Sequence, residues 1–393
     1  MMGKIISRAK ELSNYVITFR RELHMYPEVK YEEERTSRIV EEELKSLGYK
    51  TMRTAKTGVI GILDTKKPGK TIALRADMDA LPIQEENDVP YKSKVPGKMH
   101  ACGHDAHTAM LLGAAKILSE IKDELRGKIK LIFQPAEEGG LGAKKIVEEG
   151  HLEDVDAIFG MHVWAGLESG KIGIREGPIL ASADAFKVII KGKGGHGASP
   201  HLSIDPIVVA ADIVNAFQKI ISREVNPFHQ AVISVCKISA GTAFNVIPET
   251  AEMLGTIRTL SPELREKIIE RMNAIVEGYS KAMRCEATFE ITEENVPVTI
   301  NNEKLAEFAR RILSDAFGTD NIVRQDPEMG AEDFSFYTNK VPGLFVVLGI
   351  KNEDKGIVYP HHHPKFDVDE GVLWMGTATY ALLAYYYSME AKE

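Results

Sequence analysis

Polar side chains that can bind metals or move protons follow three apolar runs typical of buried strands: Asp77 and Asp79, the pair Glu137 and Glu138, and His162. The carboxyl ends of parallel strands meet at one edge of an open α/β sheet, so these groups are expected to lie close together. When two adjacent carboxylate residues follow the end of a strand, their side chains point in different directions. One of them can therefore hold a metal while the other handles protons.

A second group of metal-ligand residue types surrounds a glycine. In the segment MHACGHD (99–105), Cys102 and His104 point the same way if the turn is extended, and Gly103 allows close backbone approach. Three consecutive histidines occupy 361–363. An isolated Cys-Gly-His would more often be structural, but the joint pattern is more specific. One thiol, three imidazoles and one carboxylate suit two transition-metal ions that share a bridging thiolate.

The elements that position these residues fall into two patterns. Over 1–181 and again over 297–393, helical and strand periods alternate, which predicts an α/β domain with a mostly parallel sheet flanked by helices. Over 182–296 the order is βαββαβ, which predicts an inserted α+β domain. Within the first part we expect one N-terminal helix, a helix capped by Asp105 with a single apolar face, and a strand that ends at His162.

Composition limits the possible partners. The 393 residues are 44% hydrophobic and 27% charged with a net charge of −8, and neither sign forms a run, so nucleic acid is a poor partner. No stretch reaches the ~18 apolar residues that a membrane helix needs, so no membrane association is expected. Three scattered cysteines cannot form a disulfide framework, which favours a cytoplasmic location.

Ten motifs run in order through nearly the whole chain: RRELHMYPE, LRADMDALPI, MHACGHDAH, FQPAEEG, GMHVW, GKGGHGASPH, FNVIPE, GTIRT, MGAEDFSFY and HHHPKFDVDE. In these motifs the sequence resembles the M20 metallopeptidase and amidohydrolase family. The resemblance is to the branch with N-acyl-amino-acid amidohydrolases, hippurate hydrolases, auxin-conjugate hydrolases, N-acetyldiaminopimelate deacetylases and some carboxypeptidases.

The resemblance implies a binuclear site for two divalent transition-metal ions per subunit (Zn, Mn, Co or Ni). The implied ligands are Cys102 as the bridge, His104, Glu138, His162 and a C-terminal histidine. The His-x-Pro pattern of the family selects His362 for this last ligand, with His361 and His363 as alternatives.

The resemblance also implies roles in catalysis. Glu137 is the general base, Asp79 orients a ligand imidazole, and Asp77 supports the metal ligands without being a ligand itself. His196, in the inserted domain, is the oxyanion donor and reaches the active site of a partner subunit. The inserted domain is thus expected to act as a lid and as the contact of a homodimer, which can associate further into a tetramer.

The substrate contacts implied are Asn245, Arg258 and the backbone around Gly330. An N-acyl amino acid carries a free carboxylate that Arg258 can clamp with two hydrogen bonds. The predicted reaction is therefore metal-dependent cleavage of the amide bond of an N-acyl amino acid, without a covalent intermediate.

Three alternatives stay open at this point. A metallocarboxypeptidase acting on short or N-blocked peptides also places an amide beside a free carboxylate. A metal-free thiol amidase would use Cys102 as the nucleophile and His104 as the base. A non-catalytic binder of the same fold would have no use for a proton shuttle, so the presence of Glu137 argues against it.

Overall fold

The computed structural model describes residues 1–292 and 295–390. In these residues the α-helices are α1 Met2–Glu11, α2 Ser13–Met25, α3 Glu34–Ser46, α4 His104–Glu120, α5 Glu137–Gly140, α6 Gly142–Glu148, α7 Pro206–Lys219, α8 Pro262–Met283, α9 Glu303–Phe317, α10 Ser335–Thr338 and α11 Leu373–Met389. The strands are β1 Lys50–Thr54, β2 Gly58–Asp64, β3 Thr71–Asp77, β4 Lys128–Gln134, β5 Ala157–Glu168, β6 Ile172–Ile174, β7 Gly177–Leu180, β8 Asp184–Lys191, β9 Gly195–His196, β10 Ala231–Ala240, β11 Val246–Ile247, β12 Thr250–Thr259, β13 Glu286–Ile291, β14 Thr299–Asn301, β15 Ile322–Arg324 and β16 Gly343–Lys351.

Internal contacts divide the chain into two compact units, each with its own core. The first unit comprises Met1–Gly177, Ile300–Asp326 and the described residues from Asp333 onward. The second comprises Pro178–Thr299 and the short segment Pro327–Glu332. That segment is tied to its unit by hydrogen bonds from the Ala181 N–H to the carbonyls of Glu328 and Gly330.

The first unit is built on a sheet with the strand order β1-β2-β4-β3-β5-β16-β6-β15. Its centre is parallel, because β3 pairs in parallel with β4 and β5, and β5 pairs in parallel with β16. The antiparallel pairs lie on either side of this centre, at β1–β2, β2–β4 and β6–β16. Every residue of β3 is buried, as expected for a parallel strand covered by helices on both faces. The predicted α/β fold with a mostly parallel sheet is confirmed.

Helix α4 begins earlier than the sequence predicts, and the predicted cap is wrong. The helix starts at His104, and no side chain caps it. The carboxylate of Asp105 accepts instead from Arg20 and His24, which compete successfully for it. The helix is buried almost all round rather than on one face, because α2 and α11 both pack against it.

Two other boundaries differ from prediction. The N-terminal helix is divided at Leu12 into α1, which packs on α11, and α2, which packs on α4. Strand β5 does not end at His162 but continues to Glu168, since its pairing with β16 continues past Val163. These packing partners are all distant in sequence, so the local hydrophobic periodicity does not indicate where the helix divides or where the strand ends.

In the second unit, apart from the two-residue strands β9 and β11, the elements from β8 to β13 have the order β8-α7-β10-β12-α8-β13, which is the predicted βαββαβ pattern. The antiparallel sheet of this unit has the order β10-β12-β8-β13, so β10 and β13 are the edge strands. Helices α7 and α8 pack on the sheet over a core that includes Phe186, Phe217 and Met253. Among the described residues of both units, no helix combines the length and the apolar character that a bilayer crossing requires.

Candidate metal centre and active site

Gly103 brings Cys102 and His104 against strand β5. Its φ is +92°, in the left-handed region, and a Cβ at this position would lie 2.3 Å from Val163 Cγ2. A larger residue would therefore clash with β5. In the observed turn, Cys102 Sγ lies 3.4 Å from His162 Nε2. The parallel register of β3 and β5, continued by two residues, also places His162 level with Asp77.

Two ligand-type groups share the Cys102 sulfur. One group is Cys102, His104 and His162, and the other is Cys102, Glu138 and His362; within each, the potential ligand atoms lie within 4.8 Å of one another. A further group of the same kind joins Glu137 to His104 and Glu138. One sulfur common to two sets of nitrogen and oxygen donors is the arrangement that two thiolate-bridged cations need.

The hydrogen bonds of the two buried histidines leave one nitrogen of each facing this centre. His104 Nδ1 lies 2.8 Å from the Asp79 carbonyl and donates to it, so in the neutral ring Nε2 carries the lone pair. That nitrogen is buried and makes no hydrogen bond with any residue that the structure describes. His162 Nδ1 donates likewise to the Val163 carbonyl at 2.5 Å. This is how ligand imidazoles are usually held, so the residues fit a pair of divalent ions.

Burial raises the pKa of the Cys102 thiol. The charge of Glu138 raises this pKa further, while His104 lowers it. A thiol in such surroundings ionises readily only when a cation takes the place of its proton. The electrostatics of the site therefore favour a metal-bound sulfur over a free thiolate nucleophile.

The side chain of Asp79 fixes the turn that carries the two glutamates. Its Oδ1 accepts the backbone N–H of Glu137 at 3.1 Å, and its Oδ2 accepts that of Glu138 at 2.9 Å. Oδ1 also lies 3.2 Å from His104 Nδ1. One carboxylate thus ties the strand end at β3 to the Glu137–Glu138 turn and to an imidazole of the centre.

Only one of the three consecutive histidines joins these groups. His362 Nε2 lies 3.0 Å from Glu138 Oε1, and the backbone N–H of His362 donates to the Ala101 carbonyl. His361 Nε2 accepts the N–H of Ala165, and the ring of His363 stacks on Tyr359. The geometry therefore groups His362, and neither neighbour, with Cys102 and Glu138.

The other predicted site residues belong to the second unit. His196, on β9, is exposed and borders a hollow of about 480 Å³ together with Asn245. His196 Nδ1 accepts the N–H of Ala198. Arg258, on β12, is paired with Val232 of β10, and burial lowers its pKa against the opposing effect of Asp184. The carbonyl of Gly330 is engaged by Ala181, and neither Arg258 nor Gly330 borders the hollow.

Residues 73–386 match the model of peptidase family M20/M25/M40. The chain belongs to this family. The predicted family is confirmed, and the protein is a metal-dependent hydrolase of amide bonds that acts on small amide or peptide substrates.

Relatives of this M20 enzyme cover almost its full length. It is 45% identical to thermostable carboxypeptidase 2 of Saccharolobus solfataricus, over 99% of each chain. It is 44% identical to the IAA-amino acid hydrolase ILR1-like 4 of Arabidopsis thaliana, over 98% of this chain and 89% of the relative. Among solved structures, the Bacillus subtilis YXEP protein, described as a dinuclear metal-binding peptidase of family M20, has a TM-score of 0.86 and 37% identity; the match covers 97% and 99% of the two chains.

Sequence reasoning gave no role to a buried histidine of the M20 enzyme that lies one turn after His104. His107 Nδ1 lies 2.6 Å from Asp77 Oδ1, and His107 Nε2 accepts the N–H of Val163 at 2.8 Å. The other oxygen of Asp77 accepts from Arg75 at 2.8 Å. Both ring nitrogens of His107 are thus hydrogen-bonded, so His107 supports the residues at the bottom of the site. Its i, i+3 spacing from His104 is the signal that could have indicated it.

A buried arginine was also missed. Arg20 Nε donates to Asp105 at 2.8 Å, and its two terminal nitrogens donate to Asp367 at 2.8 Å and Glu370 at 3.2 Å. Burial alone would raise the pKa of Asp105, but the charges of Arg20 and His24 hold it well below its usual range. Because Asp105 follows His104, this network links the start of α4 to the segment after the three histidines.

Proposed function

We propose that this M20 enzyme hydrolyses N-acyl amino acids to a carboxylate and a free amino acid, using two divalent transition-metal ions per subunit. The proposal rests above all on the Cys102 sulfur, which belongs to two ligand groups that Glu137 adjoins. Donors of mixed nitrogen, oxygen and sulfur type suit Zn, Mn, Co or Ni. The proposed ligands are Cys102, His104, Glu138, His162 and His362.

Such ions, when bound, lower the pKa of a water molecule and polarise the carbonyl of the scissile amide. Glu137 is proposed to take the proton of the attacking water and to deliver it to the leaving amine nitrogen. Asp79 orients His104 and holds the Glu137–Glu138 turn through its two oxygens. Asp77 supports the floor of the site through His107 and Arg75.

The second unit is proposed to supply the groups that bind the substrate. Because His196 Nδ1 accepts a hydrogen bond, the proton of the neutral ring resides on Nε2, which is free to donate to the oxyanion of the tetrahedral intermediate. We assign this donation to the active site of a partner subunit. Arg258 is proposed to bind the substrate carboxylate, and Asn245 and the backbone at Gly330 to line the pocket.

A second candidate function is that of a carboxypeptidase on short or N-blocked peptides. It is favoured by the 45% identity to a relative named as a thermostable carboxypeptidase. Both substrate classes present an amide beside a free carboxylate, so the same proposed groups would serve either of them.

Chelation and a substrate panel test the proposed function. We expect N-acetyl and N-benzoyl amino acids to be turned over with a kcat/KM at least about tenfold above that for matched dipeptides, a difference of ~1.4 kcal/mol in transition-state binding. A chelator should reduce turnover to background, and added Zn, Mn, Co or Ni should restore it. Metal analysis of the purified protein identifies the native ion. Faster turnover of dipeptides would favour the carboxypeptidase.

The same assay discriminates the thiol amidase. If Cys102 were a nucleophile, turnover would survive chelation and Cys102→Ser would abolish it with no change in metal content. For the metal-dependent enzyme we expect the opposite result in each experiment: chelation should abolish turnover, and Cys102→Ser should bind less metal. The raised pKa of the buried Cys102 thiol supports this expectation.

We propose a cytoplasmic location for the enzyme. Cys102, Cys236 and Cys285 are free thiols, and Cys236 is exposed. Unpaired cysteines of this kind are typical of a reducing compartment.

We propose that two copies associate as a homodimer, which can pair again into a tetramer, through strand β10. This strand is at the edge of the sheet of the second unit, and it exposes Val232 and Ile238. A long edge strand with exposed apolar side chains is a template for pairing with another chain. If a second copy were related by a twofold axis, the β10 strands of the two copies would pair, and the backbone groups at the β10 edge of each copy would then be hydrogen-bonded.

Charge placed on β10 should separate the subunits. We expect the wild type to sediment as a dimer and the double variant Val232→Lys, Ile238→Lys to sediment as a monomer at micromolar concentration. The matched control is Thr288→Lys on β13, the opposite edge of the same sheet, which should stay dimeric. A wild type that is monomeric at all concentrations yet fully active would rule out the dimer and the role of His196 in a partner subunit.

A further inference from the structure

Three consecutive backbone N–H groups of the turn Ala136–Glu138 are each bound by a buried carboxylate. Asp79 accepts those of Glu137 and Glu138. Glu33 Oε1 accepts that of Ala136 at 2.9 Å. Asp79 stands in the motif that follows β3, but Glu33 comes from the segment before α3, more than a hundred residues from the turn.

The placement of Glu33 is costly in free energy. The side chain is fully buried, and its other oxygen, Oε2, accepts from Thr57 Oγ1 at 2.6 Å. The pKa of Glu33 is raised to about 7, because burial and the charge of Asp79 raise it more than the hydrogen bond from Thr57 lowers it. An apolar residue would avoid this desolvation. The carboxyl group therefore has a local task that an apolar side chain could not perform, which is to accept the N–H of Ala136.

The backbone of Ala136 explains why that N–H needs an acceptor. Ala136 has φ +54° and ψ +47°, a left-handed conformation that costs a residue with a Cβ about 1–2 kcal/mol. It stands directly before Glu137, so its conformation sets the direction in which the side chains of Glu137 and Glu138 leave the chain. Without an acceptor, the buried N–H would favour a relaxed backbone with a different direction.

The segment that carries Glu33 also holds the far end of the turn. Tyr31 Oη donates to the Gly140 carbonyl at 2.6 Å, and Lys30 Nζ donates to the Gly139 carbonyl at 3.3 Å. The carbonyl of Glu28, at the start of the segment, accepts the N–H of Ala80, next to Asp79. The segment 28–33 therefore contacts the residue next to Asp79 as well as the far end of the turn.

We propose that Glu33 is a positioning residue for the catalytic turn: by accepting the N–H of Ala136 it holds the left-handed backbone that aims Glu137 and Glu138. This inference rests on the proposed function, in which Glu137 moves the proton and Glu138 holds metal. The acceptor oxygen, not the negative charge, carries the effect. A misplacement of about 1 Å is enough to cost 10²-fold in rate.

Three variants test the inference. Glu33→Met removes the acceptor at similar volume, Glu33→Gln restores one acceptor oxygen, and Thr57→Val removes the other buried hydrogen bond of Glu33 while leaving that of Ala136. With saturating metal, we expect Glu33→Met to lower kcat by about 10- to 100-fold with KM changed less than about twofold. Glu33→Gln should recover kcat to within about threefold of the wild type, and Thr57→Val should leave kcat unchanged despite a loss of stability.

Two readouts do not depend on turnover. Apparent metal affinity should fall about tenfold in Glu33→Met, because Glu138 is on the same turn. Backbone hydrogen exchange in the peptide 136–140 should be faster in Glu33→Met and unchanged in Glu33→Gln and Thr57→Val. A protein that turns over none of the amides but shows this exchange pattern would refute the proposed function and keep the positioning role.

Two results would overturn the inference. One is a Glu33→Met protein whose exchange and kcat match the wild type. The other is a Thr57→Val protein that loses kcat as strongly as Glu33→Met, since Glu33 would then act only through general stability. Glu34→Gln, at the exposed neighbour on α3, is the surface control and should match the wild type in every readout.

Discussion

Replacing Glu137 with glutamine is expected to lower kcat by about 10³-fold, within the range of 10² to 10⁴ that general acid-base catalysis contributes. The amide of glutamine has nearly the same shape but does not accept the proton of the attacking water. Because the proton moves only in the transition state, kcat and kcat/KM should fall together while KM stays nearly constant. The measurement is steady-state turnover of an N-acetyl amino acid, with metal content determined on the same samples.

The adjacent carboxylate supplies the matched control. Glu138 groups with Cys102 and His362, whereas Glu137 groups with His104 and Glu138. We therefore expect Glu138→Gln to lower the bound metal, and Glu137→Gln to retain it in full. If Glu137→Gln lost metal while Glu138→Gln kept it, the assignment of base and ligand would be reversed. Full activity in Glu137→Gln would remove the proton shuttle from the mechanism.

Elements with strong local signals can be recognised from the sequence alone. Helix α8 begins at Pro262, where Ser261 caps the N–H of Leu264 and proline occupies the first helical position, and both signals are visible in the sequence. Strand β3 was recognisable because a parallel strand buried on both faces is a continuous apolar run. In such places the cause of the structure lies within a few residues of the element itself.

The errors arise where a distant partner decides the structure. Asp105 has the composition and position of a helix cap, but Arg20, 85 residues away, takes its carboxylate. Strand β5 continues past His162 because β16 pairs with it. The same applies to Glu33, whose acceptor role depends on a turn more than a hundred residues later in the chain. The potential ligands are predicted well from the sequence because they are rare residue types. The buried charged residues that hold these ligands are predicted poorly.

Arg20 is the buried charge whose loss should be most damaging to stability. We expect Arg20→Met to lower the free energy of unfolding of the first unit by about 3–5 kcal/mol, the cost of removing one partner from a buried ion pair. The side chain of Arg20 is fully buried and pairs with Asp105, Asp367 and Glu370, so its loss removes the one cation among the described residues that contacts all three of these carboxylates. Methionine fills a similar volume, so most of the loss is electrostatic.

Arg21 offers a control at the adjacent position. It pairs with the same Glu370, but its side chain is 43% exposed. An exposed pair contributes about 0–1 kcal/mol, so Arg21→Met should lower stability by no more than that. Both tryptophans, Trp164 and Trp374, lie in the first unit, so tryptophan fluorescence in urea reports the unfolding of that unit alone. Equal losses in the two variants would contradict the role of the Arg20 network. A loss confined to Arg20→Met, with weakened metal binding, would show that charges behind Asp105 hold His104 in place.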